Sequence, residues 1–122
     1  MSDGAAASKH PVWLVVPTYC EVRNLPELLT RIRALHIPIE ILIVDDNSPD
    51  GTGRVADRIA RSATGIHVLH RQTKDGLGRA LVAGFAYAMD KGATTVATMD
   101  SDLSHRPEEL PQLLLAAEDA DF

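Results

Sequence analysis

Three clusters of polar residues in this sequence could carry chemistry, and each follows a short apolar run. Asp100 and Asp102 are separated by one residue, Asp45 and Asp46 are adjacent, and a third cluster runs from Pro17 to Glu21. Two carboxylates at the first spacing can approach one divalent cation, and Mg²⁺ and Mn²⁺ prefer such hard oxygen ligands. Asp-x-Asp is also common in solvated turns, so the pattern alone leaves both interpretations open.

Apolar runs alternate with helical periodicities along the chain. The runs predict buried parallel strands at 12–16, 39–44, 67–69 and 95–99, and the helical patterns predict helices from Asn24, over 52–63 and 79–91, and from Pro107. This alternation is typical of βαβ units with right-handed crossovers. Ligands of such sheets bind outside the carboxyl ends of the strands, where all three clusters would lie. The predicted fold class is therefore α/β, with a mostly parallel, Rossmann-like sheet flanked by helices.

Three of the helices carry more specific expectations. Asn24 is predicted to cap the first, Glu27 to complete a capping box, and Pro38 to end it. The third helix is expected to carry four apolar side chains on one side: Leu81, Val82, Phe85 and Met89. The helix opened by Pro107 is expected to offer three leucines to a core: Leu110, Leu113 and Leu114.

Composition excludes several classes of protein. The 122 residues suffice for one domain with a real core, and 45% hydrophobic with 24% charged residues excludes a fully disordered chain. The longest apolar runs are far too short to span a bilayer. Cys20 is the only cysteine, so we expect no disulfide, an inert thiol and a cytoplasmic protein. Residues 1–11 lack the apolar core of a signal peptide and are predicted to be a disordered leader.

The formal net charge of −5 argues against a nucleic-acid-binding surface. After residue 99 the only basic residue is Arg106, so the acidity is concentrated at the end of the chain. Two interpretations stay open: a solvated acidic block, or a surface that lacks a basic partner or a continuation of the chain. Standard phosphate-binding loops are absent, because Gly76-Leu77-Gly78 is followed by Arg79 rather than by Lys-Ser or Lys-Thr.

Four segments of the chain carry a family resemblance. They are Val16 to Glu21 with Asn24-Leu25-Pro26, Ile43 to Thr52, Gly76-Leu77-Gly78 with Ala83-Gly84-Phe85, and Met99 to His105. In this order they closely resemble the polyprenol (dolichyl) phosphate mannose synthases, which are inverting family-two glycosyltransferases with the GT-A fold. The resemblance covers residues 12–122 as a nucleotide-sugar-binding part. It implies GDP-mannose as donor, a polyprenyl phosphate as acceptor, Mg²⁺ or Mn²⁺ as cofactor, and peripheral contact with the cytoplasmic face of a membrane.

The resemblance also implies roles for individual residues. The first donor-binding motif matches Pro17, Tyr19 and Glu21, and the second, which holds base and ribose, matches Val44 and Asp46. The motif that holds the donor diphosphate through the metal matches Asp100, Ser101 and Asp102, with Ser104 as a third metal contact. Asp102, aided by Asp100, is the expected catalytic group.

The sequence departs from the family pattern at three points. Cys20 stands where the family usually has Asn, which is expected to loosen that turn, and Ser101 replaces the usual Ala, which is expected to be harmless. Family members continue well beyond the Asp-x-Asp motif. From this we expect the domain to be incomplete at its carboxyl end, with Ala120-Asp121-Phe122 opening a further strand.

The sequence also offers two alternative functions. The segment from Asp100 to Ser104 also resembles the nucleophile loop of haloacid-dehalogenase-type phosphatases. That loop follows the first strand in those proteins and requires a downstream Lys, whereas no Lys follows Ser104. The other alternative, which the sequence leaves open, is a truncated and catalytically silent nucleotide-binding fragment.

Overall fold

A computed structural model describes residues 10–112 and 114 of the chain. Its strands are β1 (Val12–Thr18), β2 (Glu40–Asp45), β3 (Ile66–His70) and β4 (Thr95–Thr98). Its helices are α1 (Asn24–Arg33), α2 (Thr52–Ser62) and α3 (Leu77–Asp90), followed by a 3₁₀ turn over Pro107–Glu109. The four strands form a parallel sheet in the order β3-β2-β1-β4. The predicted α/β class with a parallel sheet flanked by helices is confirmed.

Strand β1 runs through the centre of the sheet and is buried on both faces. Val15 pairs with Leu42 of β2 on one side and with Thr98 of β4 on the other. Leu14 contributes to the hydrophobic cluster under α1 and α2, whereas Val15 belongs to the cluster under α3. Because helices cover both faces of the sheet, the sequence of β1 is a continuous run of apolar residues rather than an alternation of apolar and polar residues.

Helix α3 packs through small residues, which corrects the prediction for its apolar side. Val82 and Met89 are 67% and 61% exposed, so they do not face the core, and only Leu81 and Phe85 of the expected set pack against it. The buried positions of the helix are Ala80, Gly84 and Ala88. A Cβ atom at Gly84 would lie 2.6 Å from Val15 Cγ1, closer than real Cβ contacts allow. The helix backbone therefore lies directly against β1 at Gly84, and a larger residue does not fit at that position.

Helix α1 begins at Asn24, but the predicted capping box does not form. No side chain caps this helix, and Asn24 Nδ2 instead donates to Glu21 Oε1 at 3.3 Å. Glu27 pairs with Arg31 one turn later, at 3.4 Å. The helix ends at Arg33, before Pro38. Four buried side chains form its inner stripe: Leu25, Leu28, Leu29 and Ile32.

Both ends of the described chain are anchored to the fold. The carbonyl oxygen of Pro11 accepts hydrogen bonds from Thr94 N (2.8 Å) and Thr95 N (3.2 Å), so Pro11, which was predicted to belong to the leader, is bound to the residues at the start of β4. Leu110 is buried in the core as predicted, and Leu114 packs against the same cluster. Leu113 and the strand expected from Ala120 lie outside the described residues, as does most of the predicted leader. Within the described part, no helix has the length and apolar character needed to cross a membrane.

Candidate functional site

A cleft of about 300 Å³ opens at the carboxyl ends of β1, β2 and β4. Segments that are far apart in the sequence line it together: 17–19 with Glu21, Asp46, then Lys74, Gly76, Leu77 and Ala80, and finally 100–102. All three polar clusters singled out in the sequence therefore contribute side chains to one cleft. A larger groove of about 780 Å³ lies at the opposite edge of the sheet, beside Glu40 and Ile66, and none of the predicted site residues lines it. The cleft is the better candidate because ligands of parallel α/β sheets bind at the carboxyl ends.

Backbone N–H groups after β1 donate to side chains of the loop after β2 and of Thr52, the first residue of α2. Cys20 N donates to Ser48 Oγ at 2.9 Å, Glu21 N to Thr52 Oγ1 at 3.0 Å, and Val22 N to the Asp50 carboxylate at 3.2 Å. The Thr52 hydroxyl, followed by backbone N–H donors, lowers the pKa of the Asp50 carboxyl. The turn-forming side chains of this loop therefore fix the first wall of the cleft.

The adjacent carboxylates Asp45 and Asp46 have different environments. Asp45 is 2% exposed and accepts hydrogen bonds from the Thr18 hydroxyl (2.7 Å) and from the backbone N–H and hydroxyl of Ser48 (3.0 and 2.6 Å). Asp46 is 6% exposed, lines the cleft and pairs with Arg71 Nη1 at 3.1 Å. Asp45 thus holds the loop in place, and Asp46 is the carboxylate available to a ligand.

Asp100 and Asp102 both line the cleft and are exposed. Asp102 Oδ1 accepts a hydrogen bond from Ser104 N at 2.9 Å. The side chain of Ser104, and then its backbone N–H, lower the pKa of the Asp102 carboxyl, so this group is ionised at neutral pH. Ser104 itself is not among the residues that line the cleft. In this structure it orients Asp102.

The cleft suits a divalent cation that is shared with a ligand. No group of three ligating side chains comes together within the described residues. Asp100 and Asp102 offer exposed carboxylate oxygens, one of them on a group with a lowered pKa. Mg²⁺ and Mn²⁺ are commonly bound by one or two carboxylates with the remaining ligands from substrate phosphates and water. The residues present therefore fit a cation of this kind together with a phosphate ligand.

Of the predicted site residues Val44 and Pro17, only Pro17 lines the cleft. Val44 is fully buried in β2, directly before the two aspartates, and its side chain belongs to the core cluster under α3. The carbonyl oxygen of Pro17 accepts a hydrogen bond from the Ser101 hydroxyl at 3.0 Å. Tyr19, by contrast, presents an exposed ring to the cleft.

The sequence alone assigned no role to two basic residues that lie at or beside the cleft in the structure. Arg71 pairs with Asp46, and its Nη1 also lies 2.7 Å from Asp75 Oδ1. This pairing lowers the pKa of the Asp75 carboxyl. Lys74 lines the cleft, with its Nζ 5.1 Å from the centroid of the Tyr19 ring. Their position in the sequence could have indicated a role in the site, because both residues follow β3 at the edge of the sheet where the acidic clusters lie.

Comparison with known proteins identifies relatives of this chain. A sequence model of Glycosyl transferase family 2 matches residues 13–122. The chain is 48% identical over 111 residues to an undecaprenyl-phosphate mannosyltransferase of Micrococcus luteus, covering 91% of this chain and 46% of the relative. It is 44% identical over 106 residues to a polyprenol monophosphomannose synthase of Mycolicibacterium smegmatis, covering 86% and 40%. The chain therefore spans less than half the length of these two relatives.

Solved structures give the same fold. A mannosyltransferase from Pyrobaculum calidifontis, solved with GDP-Man and Mn²⁺, aligns with a TM-score of 0.67 at 26% identity, covering 80% of this chain and 29% of that one. TarS of S. aureus aligns with a TM-score of 0.68 at 24% identity over 88% of this chain and 32% of that one, a likeness that shows the fold alone. The predicted resemblance to family-two glycosyltransferases and to polyprenyl-phosphate mannose transferases is confirmed.

Proposed function

Because the chain belongs to Glycosyl transferase family 2, we propose that it binds GDP-mannose for transfer of mannose to a polyprenyl phosphate with inversion. One observation carries this proposal: apart from the buried Val44, the residues predicted for donor binding from three separate motifs line a single cleft at the carboxyl ends of the strands. The similar Pyrobaculum protein, solved with GDP-Man and Mn²⁺, supports the choice of donor. The names of the two bacterial relatives support the choice of acceptor.

In this proposal the donor lies across the cleft. Asp46 binds the base or ribose, and Tyr19 and Glu21 contact the donor from the loop after β1. Asp100 and Asp102 hold Mg²⁺ or Mn²⁺, with Ser104 keeping Asp102 in position. The bound cation would supply charge stabilisation for the departing diphosphate. A cluster of four carboxylates with no cation nearby would repel such a ligand.

The proposed reaction needs no strong general base from this chain. A phosphate oxygen of the acceptor is already anionic at neutral pH and forms the new bond to the anomeric carbon. The bond from that carbon to the diphosphate oxygen breaks on the opposite face, and GDP leaves with the electron pair. The protein's part is to position the donor and to stabilise developing charge. Since the acceptor is a lipid, we place the reaction at a membrane surface, on its cytoplasmic face.

Calorimetric titration with GDP-mannose, with and without Mn²⁺, tests the proposal. We expect Mn²⁺-dependent binding that Asp102→Ala abolishes. Asp90→Ala is the matched control, because Asp90 ends α3 and is not among the residues that line the cleft. Absence of binding by the unaltered chain would support the silent-fragment alternative. Equal affinities for the two variants would remove Asp102 from the metal site. A separate assay of mannose transfer to a polyprenyl phosphate asks whether this chain also provides the acceptor site.

A further inference from the structure

The described side chains that line the cleft include four carboxylates and one basic group. The carboxylates that line it belong to Glu21, Asp46, Asp100 and Asp102. Lys74 is the single lysine or arginine among its described lining residues. Arg71 lies nearby but is committed to Asp46 and Asp75, at 3.1 and 2.7 Å. Any anionic ligand that enters the cleft therefore meets one side-chain cation that is not already paired with a carboxylate.

In this structure Lys74 contacts an aromatic ring, and a phosphate group could replace this contact. Its Nζ lies 5.1 Å from the centroid of the Tyr19 ring, and both side chains are exposed. None of the ion pairs found among the described residues involves Lys74. A cation–π contact at an exposed site is weak, whereas an ammonium bound to a phosphate oxygen gains a charge-assisted hydrogen bond. Moving Lys74 from the ring to a phosphate is therefore favourable when a phosphate enters.

We propose that Lys74 binds a phosphate oxygen of the nucleotide donor and leaves the Tyr19 ring when the donor enters the cleft. This inference rests on the proposed function and adds a residue to it. A divalent cation held by Asp100 and Asp102 would balance the charge of the donor diphosphate but not also that of the carboxylates that line the cleft. Lys74 supplies a further positive charge from the loop after β3, a different segment of the chain. Its compact, strongly hydrated ammonium suits a phosphate as a point charge.

Titrations with ligands that differ only in phosphate content test this role. The chain and its Lys74→Met variant are titrated with GDP and with guanosine in the presence of Mn²⁺. We expect Lys74→Met to weaken GDP binding about tenfold to a hundredfold, the range for a hydrogen bond to a charged group. Guanosine binding should stay unchanged, and Lys74→Arg should retain most of the affinity for GDP. Raising the salt concentration should weaken GDP binding less in Lys74→Met than in the unaltered chain.

Lys91 provides a matched control. Its Nζ lies 5.5 Å from the centroid of the Tyr87 ring, so it forms the same kind of contact just beyond the other end of α3, away from the cleft. Lys91→Met should leave both affinities unchanged. Thermal unfolding of each variant establishes that it is folded at the temperature of the titration.

The possible contrary results differ from one another. Unchanged GDP affinity in Lys74→Met overturns the inference and leaves the proposed function standing. An equal loss for GDP and guanosine also overturns it, because Lys74 would then act through Tyr19 on the base. Weaker binding of a short, water-soluble prenyl phosphate with unchanged GDP affinity assigns Lys74 to the acceptor phosphate instead. If the unaltered chain does not bind GDP, the proposed function fails first and the inference fails with it.

Discussion

The Ser101 hydroxyl lies 3.1 Å from Glu21 Oε2 and 3.0 Å from the carbonyl oxygen of Pro17, across 80 and 84 residues of sequence. A serine hydroxyl carries one proton, so it donates to one of these acceptors at a time. Ser101 is buried; Pro17 lies near the end of β1 and Glu21 in the loop that follows it. The side chain therefore ties the Asp100–Asp102 loop to the first donor-binding motif. The alanine that is usual in the family could not make either contact.

Replacement of Ser101 by alanine tests the strength of this link. We expect Ser101→Ala to lower the free energy of unfolding by about 0.5–1.5 kcal/mol, the net value of one hydrogen bond. Urea denaturation provides the measurement. Ser62→Ala is the control, because its exposed hydroxyl donates only to Ile59 O within α2, at 3.1 Å. If Ser101→Ala and Ser62→Ala lower the free energy of unfolding equally, the hydrogen bond of Ser101 stabilises the protein no more than one within a helix does.

Cys20 adopts a left-handed backbone conformation, with φ of +59°. This conformation costs ordinary L-residues about 1–2 kcal/mol, whereas Asn tolerates it better. Cys20→Asn is therefore expected to raise the free energy of unfolding by up to about 1 kcal/mol. Since the thiol is exposed, little packing is lost. Chemical denaturation should show this gain for Cys20→Asn and none for Cys20→Ala, which keeps the Cβ atom without the amide. An equal gain for both variants would mean that the thiol, and not the backbone, is the source of strain.

An ion pair joins the 3₁₀ turn to α1. Arg31 donates from Nε to Glu108 Oε2 at 2.8 Å and from Nη2 to Glu108 Oε1, and these hydrogen bonds lower the pKa of Glu108 to about 2. A lowered folded-state pKa gives stability that is fully present above the ordinary value of 4.5 and is lost as the pH falls towards 2.

We therefore expect the difference in unfolding free energy between the unaltered chain and Glu108→Gln to shrink as the pH falls from 4.5 to 2. Denaturant unfolding at several pH values gives the measurement. Glu109→Gln is the control, because Glu109 forms none of the ion pairs found in the described part of the chain. A difference that is constant over this interval would contradict the assigned pKa.

The sequence predicted the sheet and the location of the site for the same reason. Strands buried on both faces appear as apolar runs, and polar clusters directly after them must meet at one edge of a parallel sheet. It predicted the inner face of α3 only in part. Apolar periodicity shows where large apolar side chains lie but not how closely a helix backbone approaches the sheet, and here Gly84 packs against β1 while Met89 is exposed. It also left Lys74 and Arg71 unassigned. Their partners, Tyr19 and Asp46, come from other loops, and such pairings depend on tertiary structure.

Asp46 is proposed to bind the base or ribose, so its removal should weaken nucleotide binding whether or not Mn²⁺ is present. We expect Asp46→Ala to cost about 1–3 kcal/mol of binding free energy for GDP, the penalty for leaving a polar partner unsatisfied. Calorimetric titration with and without the cation provides the measurement.

The pairing of Asp46 with Arg71 gives this experiment its control. Asp75→Ala removes the other carboxylate partner of Arg71, 2.7 Å away, and leaves Asp46 in the cleft. If Asp46 contacts the nucleotide directly, Asp75→Ala should bind GDP as the unaltered chain does. An equal loss in both variants would mean that Asp46 acts by holding Arg71. A loss in Asp46→Ala that appears only with Mn²⁺ would instead place this carboxylate at the cation, because a contact to base or ribose does not depend on metal.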